Sequence, residues 1–266
     1  TRLSLIPSWL RKTAVEAVKA EAPTENVEHL HIGLAAVRPG HGGVVAMYGG
    51  PDAVAQSYND AVDSIPQSGS TVKPFTLVAA FENEVSLKSR FSGNSGFEAP
   101  GLGKPVNNES DRDYGDSVDL LYATENSINT AFVDLTMQVG PEKVMDAMVR
   151  SGLPEDAPGI VGESGVPNGR ITLGTASIPP VQMADMYATL AAQGKQADWF
   201  TVAKVTDPSG EVLHEVEPEP EQVIEPDITA EVTYALTQVV ENGTGTVAQE
   251  LDRPVEFARA FEPSDH

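Results

Sequence analysis

A serine and a lysine three residues apart are the strongest candidates for chemistry in this sequence. Ser70 and Lys73 open a stretch whose apolar spacing predicts a helix. Residues three apart lie on one face of a helix, and the first turn offers free amides and a positive dipole end. A serine hydroxyl needs a base to attack a carbonyl. A lysine in a dry cleft can lose its proton and act as that base. The pair therefore predicts a serine nucleophile with a lysine partner.

The spacing by itself is weak evidence. At average usage of both residue types, about one such spacing is expected by chance in a chain of this length. The alternative interpretation is a helix-capping serine followed by a solvated lysine. Gly69, immediately before Ser70, favours the first interpretation because it has no side chain to cover the face of the serine.

A Ser-x-Asn pattern supplies the next candidates. The first two of its three copies lie in turn-rich segments, where such residues bond to local backbone. The third copy, with Ser127 and Asn129, lies between two predicted helices, so that Ser127 could relay a proton and Asn129 could bind a substrate amide. Ordinary capping of the second helix is the alternative. The copies are Ser57-Tyr58-Asn59, Ser92-Gly93-Asn94 and Ser127-Ile128-Asn129.

The elements that must position these residues follow from periodicity and turn residues. Helices are predicted at 8–20, from 70 onward, and at 119–125, 129–139, 141–151, 180–192 and 228–241. Hairpins are predicted from 29–37 with 44–48 and from 201–206 with 211–215, and 91–116 reads as a long surface excursion. Antiparallel hairpins mixed with many helices predict an α+β fold.

Composition excludes several classes of function. The net charge of −22 disfavours nucleic-acid binding, and the absence of cysteine excludes disulfides and thiolate metal centres. No phosphate loop and no Gly-x-Ser-x-Gly elbow occurs. His29 and His31 are predicted to alternate on a strand and to face solvent. We therefore predict no metal site and no cofactor.

Taken together in order and spacing, these motifs identify a family. The chain resembles the transpeptidase domain of class A (bifunctional) penicillin-binding proteins, especially those of actinobacteria. Gly69 to Phe75 is similar to the family's Ser-x-x-Lys motif with its flanks, and Ser127 to Ala131 to its Ser-x-Asn motif. Further similar segments are 33–37 with 44–50, 59–61, 171–174, 183–195, 240–246 and 251–255.

The resemblance implies both a fold and a chemistry. The fold would be that of penicilloyl-serine transferases, with an antiparallel sheet between helical layers. Ser70 would attack the D-Ala-D-Ala carbonyl of a peptidoglycan stem peptide, with Lys73 as base, and a second stem amine would resolve the acyl-enzyme. Ser127 would relay the proton, and Asn129 and Thr130 would bind substrate. β-Lactams would acylate the same serine.

The resemblance also implies an organisation of the chain. Residues 1–24 would be a linker and first helix, 25–255 the transpeptidase domain, and 256–266 a tail foreign to the family. The domain would work at the extracytoplasmic face of the membrane or in the cell wall. An upstream anchor would hold it there, with stem peptides, β-lactams and cell-wall synthesis proteins as its partners.

The sequence departs from the family after Val255. The family continues to a strand bearing Lys-Thr-Gly, whereas this sequence has no lysine after Lys204. That strand supplies a cation for the substrate carboxylate and one oxyanion amide, whose loss costs about 10²–10³-fold in rate. We therefore expect a domain truncated before this motif, an incomplete sheet and weak acylation. The alternatives are a non-catalytic binding remnant and a serine β-lactamase or D,D-carboxypeptidase of the same superfamily.

Overall fold

The computed structural model describes residues 2–4, 8–25, 27, 29–52, 54, 57–162 and 164–251. The helices are α1 (Ser8–Glu21), α2 (Lys73–Glu82), α3 (Leu120–Glu125), α4 (Asn129–Val139), α5 (Pro141–Arg150), α6 (Pro180–Ala191) and α7 (Pro226–Asn242). The strands are β1 (Arg2–Ser4), β2 (Leu34–Val37), β3 (Val44–Tyr48), β4 (Arg90–Phe91), β5 (Val118–Asp119), β6 (Lys195–Gln196), β7 (Val202–Thr206), β8 (Val212–Glu215) and β9 (Glu221–Gln222). The predicted helices are confirmed, with ends shifted by one or a few residues.

The described chain forms two compact units built from interleaved segments. The first unit takes Thr1–Pro66, Ser151–Leu153 and Ile178–Val223, and the second takes Gln67–Arg150, Pro154–Ser177 and the chain from Ile224 onward. Residues 252–255 of the predicted late signature and the predicted tail at 256–266 lie outside the described residues. No described helix has the length and apolar character needed to cross a bilayer.

The first unit is built from hairpins and two helices. Strand β7 pairs with both β1 and β8, while β2 pairs with β3 and β6 pairs with β9, all antiparallel. Helix α6 packs on β2, and α1 packs on β3. The β7–β8 turn closes on Asp207, whose carboxylate accepts hydrogen bonds from the amides of Ser209 and Glu211. Both predicted hairpins are confirmed.

The first predicted strand begins later than its sequence suggests. Residues before Leu34 are not strand, so His29 and His31 do not alternate along a sheet. His31 is instead held by Nδ1 at 2.8 Å from a carboxylate oxygen of the buried Asp60. The predicted strand at these two histidines was wrong, because a side-chain contact rather than a ladder fixes this segment, but both side chains are exposed as predicted.

The second unit is organised around α2. Every residue from Lys73 to Phe81 is buried, and the helix packs against α4, α5 and α7. A helix that is apolar on all sides is stable only when it is enclosed. Lys73 is the one charged residue in this buried run, so the fold itself places an amine in a dry environment.

Residues 92–117 form an ordered loop rather than a loose excursion. Strands β4 and β5 pair at its base, and Phe97 bridges Val106 across it. Leu102 and Val106 bury against Val133 of α4. Because the loop has its own apolar contacts, it can hold the residues next to it in fixed positions.

Among the residues that the structure describes, Asp185 is a buried carboxyl group with an unpaired oxygen. Asp185 of α6 is 2% exposed, and its Oδ1 has no hydrogen-bond partner. Burial, with a smaller contribution from Asp198, raises the pKa of Asp185 from 3.8 to about 7. The unfolded chain loses this proton near pH 4, whereas the folded chain keeps it until about pH 7, so this group lowers stability as the pH rises between those values.

We predict that Asp185→Asn stabilises the protein at pH 8 and not at pH 4. The amide resembles the protonated carboxyl and cannot ionise, so the gain at pH 8 should be roughly 1–4 kcal/mol in the free energy of unfolding. Urea unfolding of both proteins at the two pH values measures it. Equal differences between variant and wild type at both pH values would contradict the assignment.

Candidate active site

Ser70 lies in a 3-10 turn that leads directly into α2. The turn covers Gly69–Val72, and α2 begins at Lys73. The sequence predicted one continuous helix, but the 3-10 geometry brings residues three apart almost into register, which places Ser70 over Lys73. Both side chains line the same cavity. The predicted pairing of the two residues in space is therefore present.

A pair of extended segments holds this turn. Gln67 bridges Ser177, and both the amide and the hydroxyl of Ser68 donate to the carbonyl of Ala176, at 3.0 and 2.9 Å. Gly69 then takes a positive φ of 57°. A Cβ added at Gly174 would lie 2.1 Å from the amide nitrogen of Gly69. The position of Ser70 thus depends on a backbone contact that only glycine permits at 174.

The amine of Lys73 is buried and fully bonded. Its Nζ donates to the carbonyl of Ser127 at 2.7 Å, to the hydroxyl of Ser127 at 2.9 Å and to Oδ1 of Asn129 at 2.9 Å. The ring centroid of Phe132 lies 5.1 Å from Nζ. Lys73 is 4% exposed, and burial lowers its pKa from 10.5 to about 7. The amine can therefore release and accept a proton near neutral pH.

Ser127 is held in a strained backbone conformation. Its φ is 52°, in the left-handed region that non-glycine residues adopt at a cost of about 1–3 kcal/mol. The residue occupies the break between α3 and α4, where this conformation turns both its carbonyl and its hydroxyl toward Lys73. Strain of this kind persists where surrounding structure imposes it, which is typical of active sites.

Asn129 begins α4 with both ends of its amide in use. Oδ1 accepts from Lys73, and Nδ2 donates to the carbonyl of Asn107 at 3.3 Å. The second bond fixes which way the amide points, because its nitrogen end must face that carbonyl. The other Nδ2 proton has no acceptor among the described residues, and Asn129 is not one of the residues that line the cavity.

Thr130 does not reach the cavity. It is fully buried, and its hydroxyl donates to the carbonyl of Ser92 at 3.0 Å and to Oδ1 of Asn108 at 3.2 Å. The sequence suggested a substrate contact here, because Thr130 follows Asn129 directly. The helix turns it to the opposite side, where it joins α4 to the loop at 92–117.

The cavity encloses about 330 Å³ of non-atom space, including space open to solvent. Its lining combines polar groups with apolar side chains from α2, α4 and α7. Its lining consists of Ser70, Lys73, Pro74, Leu77, Thr124, Ser127, Phe132, Leu236, Val239 and Thr244. Such a mixture suits a ligand with one reactive polar group and apolar flanks.

Sequence reasoning missed Thr244 as part of this cavity. Its amide donates to the carbonyl of Glu125 at 3.1 Å, and a Cβ at Gly243 would lie 2.2 Å from that same oxygen. The glycine therefore lets the chain after α7 reach the end of α3. A glycine directly after a helix was a visible signal, but only of a helix end.

These groups together can perform acyl transfer through a serine ester. The Ser70 hydroxyl lines the same cavity as the Lys73 amine, which burial leaves partly neutral at pH 7, and the Ser127 hydroxyl contacts that amine. Among the described residues, no group of three or more histidine or acidic side chains is placed to hold a metal ion.

Comparison with known proteins agrees with this geometry. The family model described as the penicillin-binding protein transpeptidase domain matches residues 32–258. The chain belongs to this family. Its relatives include class A members: penicillin-binding protein 1A of Aquifex aeolicus is 32% identical over 217 residues, covering 80% of this chain and 28% of that protein. Penicillin-binding protein 1A of Mycolicibacterium smegmatis is 29% identical over 239 residues, covering 86% and 29%.

Solved structures show the same fold. The penicillin-binding protein PonA1 of Mycobacterium tuberculosis superposes with a TM-score of 0.79 at 26% identity, over 90% of this chain and 63% of that one. PonA1 has also been solved in complex with penicillin V. The D,D-transpeptidase domain from Eggerthella lenta superposes with a TM-score of 0.75 at 22% identity, covering 96% of this chain and 70% of that one. This chain spans less than a third of the length of the first two curated relatives.

We predict that Lys73 titrates near pH 7. In protein labelled with ¹³C at the lysine ε-carbon, one resonance should move with a midpoint about three units below the usual lysine value. Lys73→Arg removes that resonance and assigns it. A midpoint for Lys73 above about 9 would show that the amine is more solvated than its burial indicates.

We predict that Gly174→Ala destabilises the protein more than Gly165→Ala does. Both glycines have positive φ, 77° and 74°, so both substitutions impose similar backbone strain. A Cβ at 174 would collide with Gly69, whereas nothing lies within 4 Å at 165. Thermal unfolding of the two variants compares them, and equal losses would mean that the contact with Gly69 does not hold the turn.

Proposed function

We propose that this chain is a peptidoglycan D,D-transpeptidase domain that crosslinks stem peptides through an ester on Ser70. The observation that carries the proposal is the convergence of Ser70, Lys73 and Ser127 on one cavity, with the Lys73 amine bonded to Ser127. Membership of the transpeptidase family supplies the reaction class. The substrate is a stem peptide ending in D-Ala-D-Ala.

The first half-reaction forms the acyl-enzyme. Ser70 Oγ attacks the carbonyl carbon of the penultimate D-Ala, and the neutral amine of Lys73 takes the hydroxyl proton. The bond to the terminal D-Ala then breaks. The departing amine receives a proton from the Ser127 hydroxyl, which is replenished from Lys73 across their 2.9 Å contact. The product is a serine ester, and D-Ala leaves.

The second half-reaction runs the same path in reverse. An amine from another stem peptide gives a proton to the Lys73–Ser127 pair and attacks the ester carbonyl. The bond to Ser70 breaks, its oxygen recovers a proton, and a peptide crosslink is released. The low pKa of Lys73 supports both directions, because a group that is half protonated at the working pH is an efficient acid and base.

Two further groups are proposed to bind the acyl donor. The second Nδ2 proton of Asn129 donates to an amide carbonyl of the stem peptide, while Oδ1 keeps its bond to Lys73. The amide of Ser70 itself, in the first turn, is one donor to the oxyanion, since opening amides of a helix have no partner within it.

β-Lactams are proposed as inhibitors that acylate Ser70, because their strained amide presents the same carbonyl chemistry. The location proposed for the domain is the extracytoplasmic face of the membrane, since crosslinkable stem peptides lie there. Attachment through an upstream segment and association with other cell-wall synthesis proteins belong to the same proposal.

We predict a single covalent adduct on Ser70 after prolonged incubation with a fluorescent penicillin. Intact mass and peptide mapping should locate it, and Ser70→Ala should show none. The rate should rise roughly 5–10-fold between pH 6 and pH 8 as Lys73 loses its proton.

Other outcomes point to the alternatives. Reversible binding of the penicillin without any adduct would favour a non-catalytic binding module. Steady hydrolysis of the β-lactam with only a transient adduct would favour a serine β-lactamase. Labelling that survives in Ser70→Ala would remove Ser70 from the mechanism.

A further inference from the structure

We infer that Asn108 is a positioning residue that holds the start of α4 and thereby fixes the Asn129 amide against Lys73. Only the catalytic role of this placement rests on the proposed function; the placement itself does not. Asn108 lies in the loop at 92–117, outside the cavity and outside both sequence motifs. Its effect on the site would therefore be transmitted through α4.

The side-chain amide of Asn108 is saturated with hydrogen bonds. Nδ2 donates to the carbonyl of Gly93 at 2.8 Å and to the carbonyl of Arg112 at 2.9 Å. Oδ1 accepts from the amide of Thr130 at 3.1 Å and from its hydroxyl at 3.2 Å. Two donors and two acceptors are the whole capacity of this side chain. Because Asn108 is only 5% exposed, water cannot easily replace any of these hydrogen bonds.

Asn108 caps α4 from a distant part of the chain. The residue at the N-cap position is Ile128, whose side chain offers no acceptor, and α4 has no capping bond of its own there. The Oδ1 of Asn108, 22 residues earlier, accepts the Thr130 amide instead. A lost cap typically costs about 1 kcal/mol, so the loop stabilises this helix end.

The neighbouring residues complete the link to the site. The carbonyl of Asn107 receives Nδ2 of Asn129, and the peptide between residues 107 and 108 is fixed by the anchored Asn108 side chain. With its nitrogen end held there, the Asn129 amide must turn Oδ1 toward Lys73. Without Asn108 the amide is free to rotate, and its nitrogen could face the ammonium group.

Charged groups do not offer a competing explanation for the state of Lys73. The ionisable residues on the packed elements include Glu125 of α3, Asp134 of α4, Glu142, Lys143, Asp146 and Arg150 of α5, and Asp227, Glu231, Tyr234 and Glu241 of α7. None of them lines the cavity, and burial alone accounts for the low pKa of Lys73. The hydrogen-bond acceptors around Nζ are therefore the remaining groups that can shift the pKa of Lys73.

The test compares Asn108→Ala with Asn94→Ala by ¹³C titration of the Lys73 ε-carbon. Asn94 also ties the loop together, bonding to Asp116 and to the amide of Gly115, but has no bond to α4. Loss or reversal of the Asn129 acceptor disfavours the ammonium form, so Asn108→Ala should lower the pKa of Lys73 by about one unit. Asn94→Ala should leave it unchanged.

Thr130→Val provides a milder second variant in case Asn108→Ala does not fold. It removes the hydroxyl bonds to Ser92 and Asn108 but keeps the Thr130 amide bond, so the same downward shift should appear in smaller size. An unchanged Lys73 pKa in the folded variants, or an equal shift in Asn94→Ala, would overturn the inference. The titration needs no acylation, so it stands apart from any failure of the proposed function.

Discussion

The burial of one amine is the constraint on which the site depends. Helix α2 can only be stable if it is enclosed, and enclosing it takes the Nζ of Lys73 out of water. A buried ammonium without partners is very unfavourable, so three acceptors must converge on it. Two of them come from Ser127, whose backbone is strained to supply them. The low pKa that makes the amine useful therefore follows from how the helix packs.

Close backbone approaches supply the precision that side chains alone would not. Gly174, at the end of the 3-10 turn Gly169–Leu173, lets that turn touch Gly69 before the serine, and Gly243 lets the chain after α7 touch the end of α3. Both are contacts between main-chain atoms, which cannot rotate away as a side chain can. Ser70 and Thr244, which both line the cavity, are thus placed there by rigid neighbours, which a site requires to hold its geometry.

The sequence predicted which residues meet at the site better than it predicted the contacts that hold them there. Short motifs mark Ser70, Lys73, Ser127 and Asn129, and the helices next to them have strong apolar periodicity. The motifs and the helices could therefore both be predicted from the sequence. The burial of Thr130 could not, because spacing along a helix does not say which neighbour covers each face. Gly174, Thr244 and Asn108 also escaped, since their roles depend on contacts between segments far apart in sequence. The strand predicted at His31 failed for the same reason, because a contact with Asp60 fixes that residue.

Electrostatics set a further requirement on substrate recognition. The chain carries a net charge of −22, and the stem peptide that we propose as substrate ends in a carboxylate. Electrostatic repulsion that salt does not screen therefore opposes their approach. Lys73 is the only ionisable residue among those lining the cavity. Its positive charge is partly lost at neutral pH, and its three protons already point at protein acceptors. The described lining thus suits the reacting carbonyl of the proposed substrate better than its carboxylate.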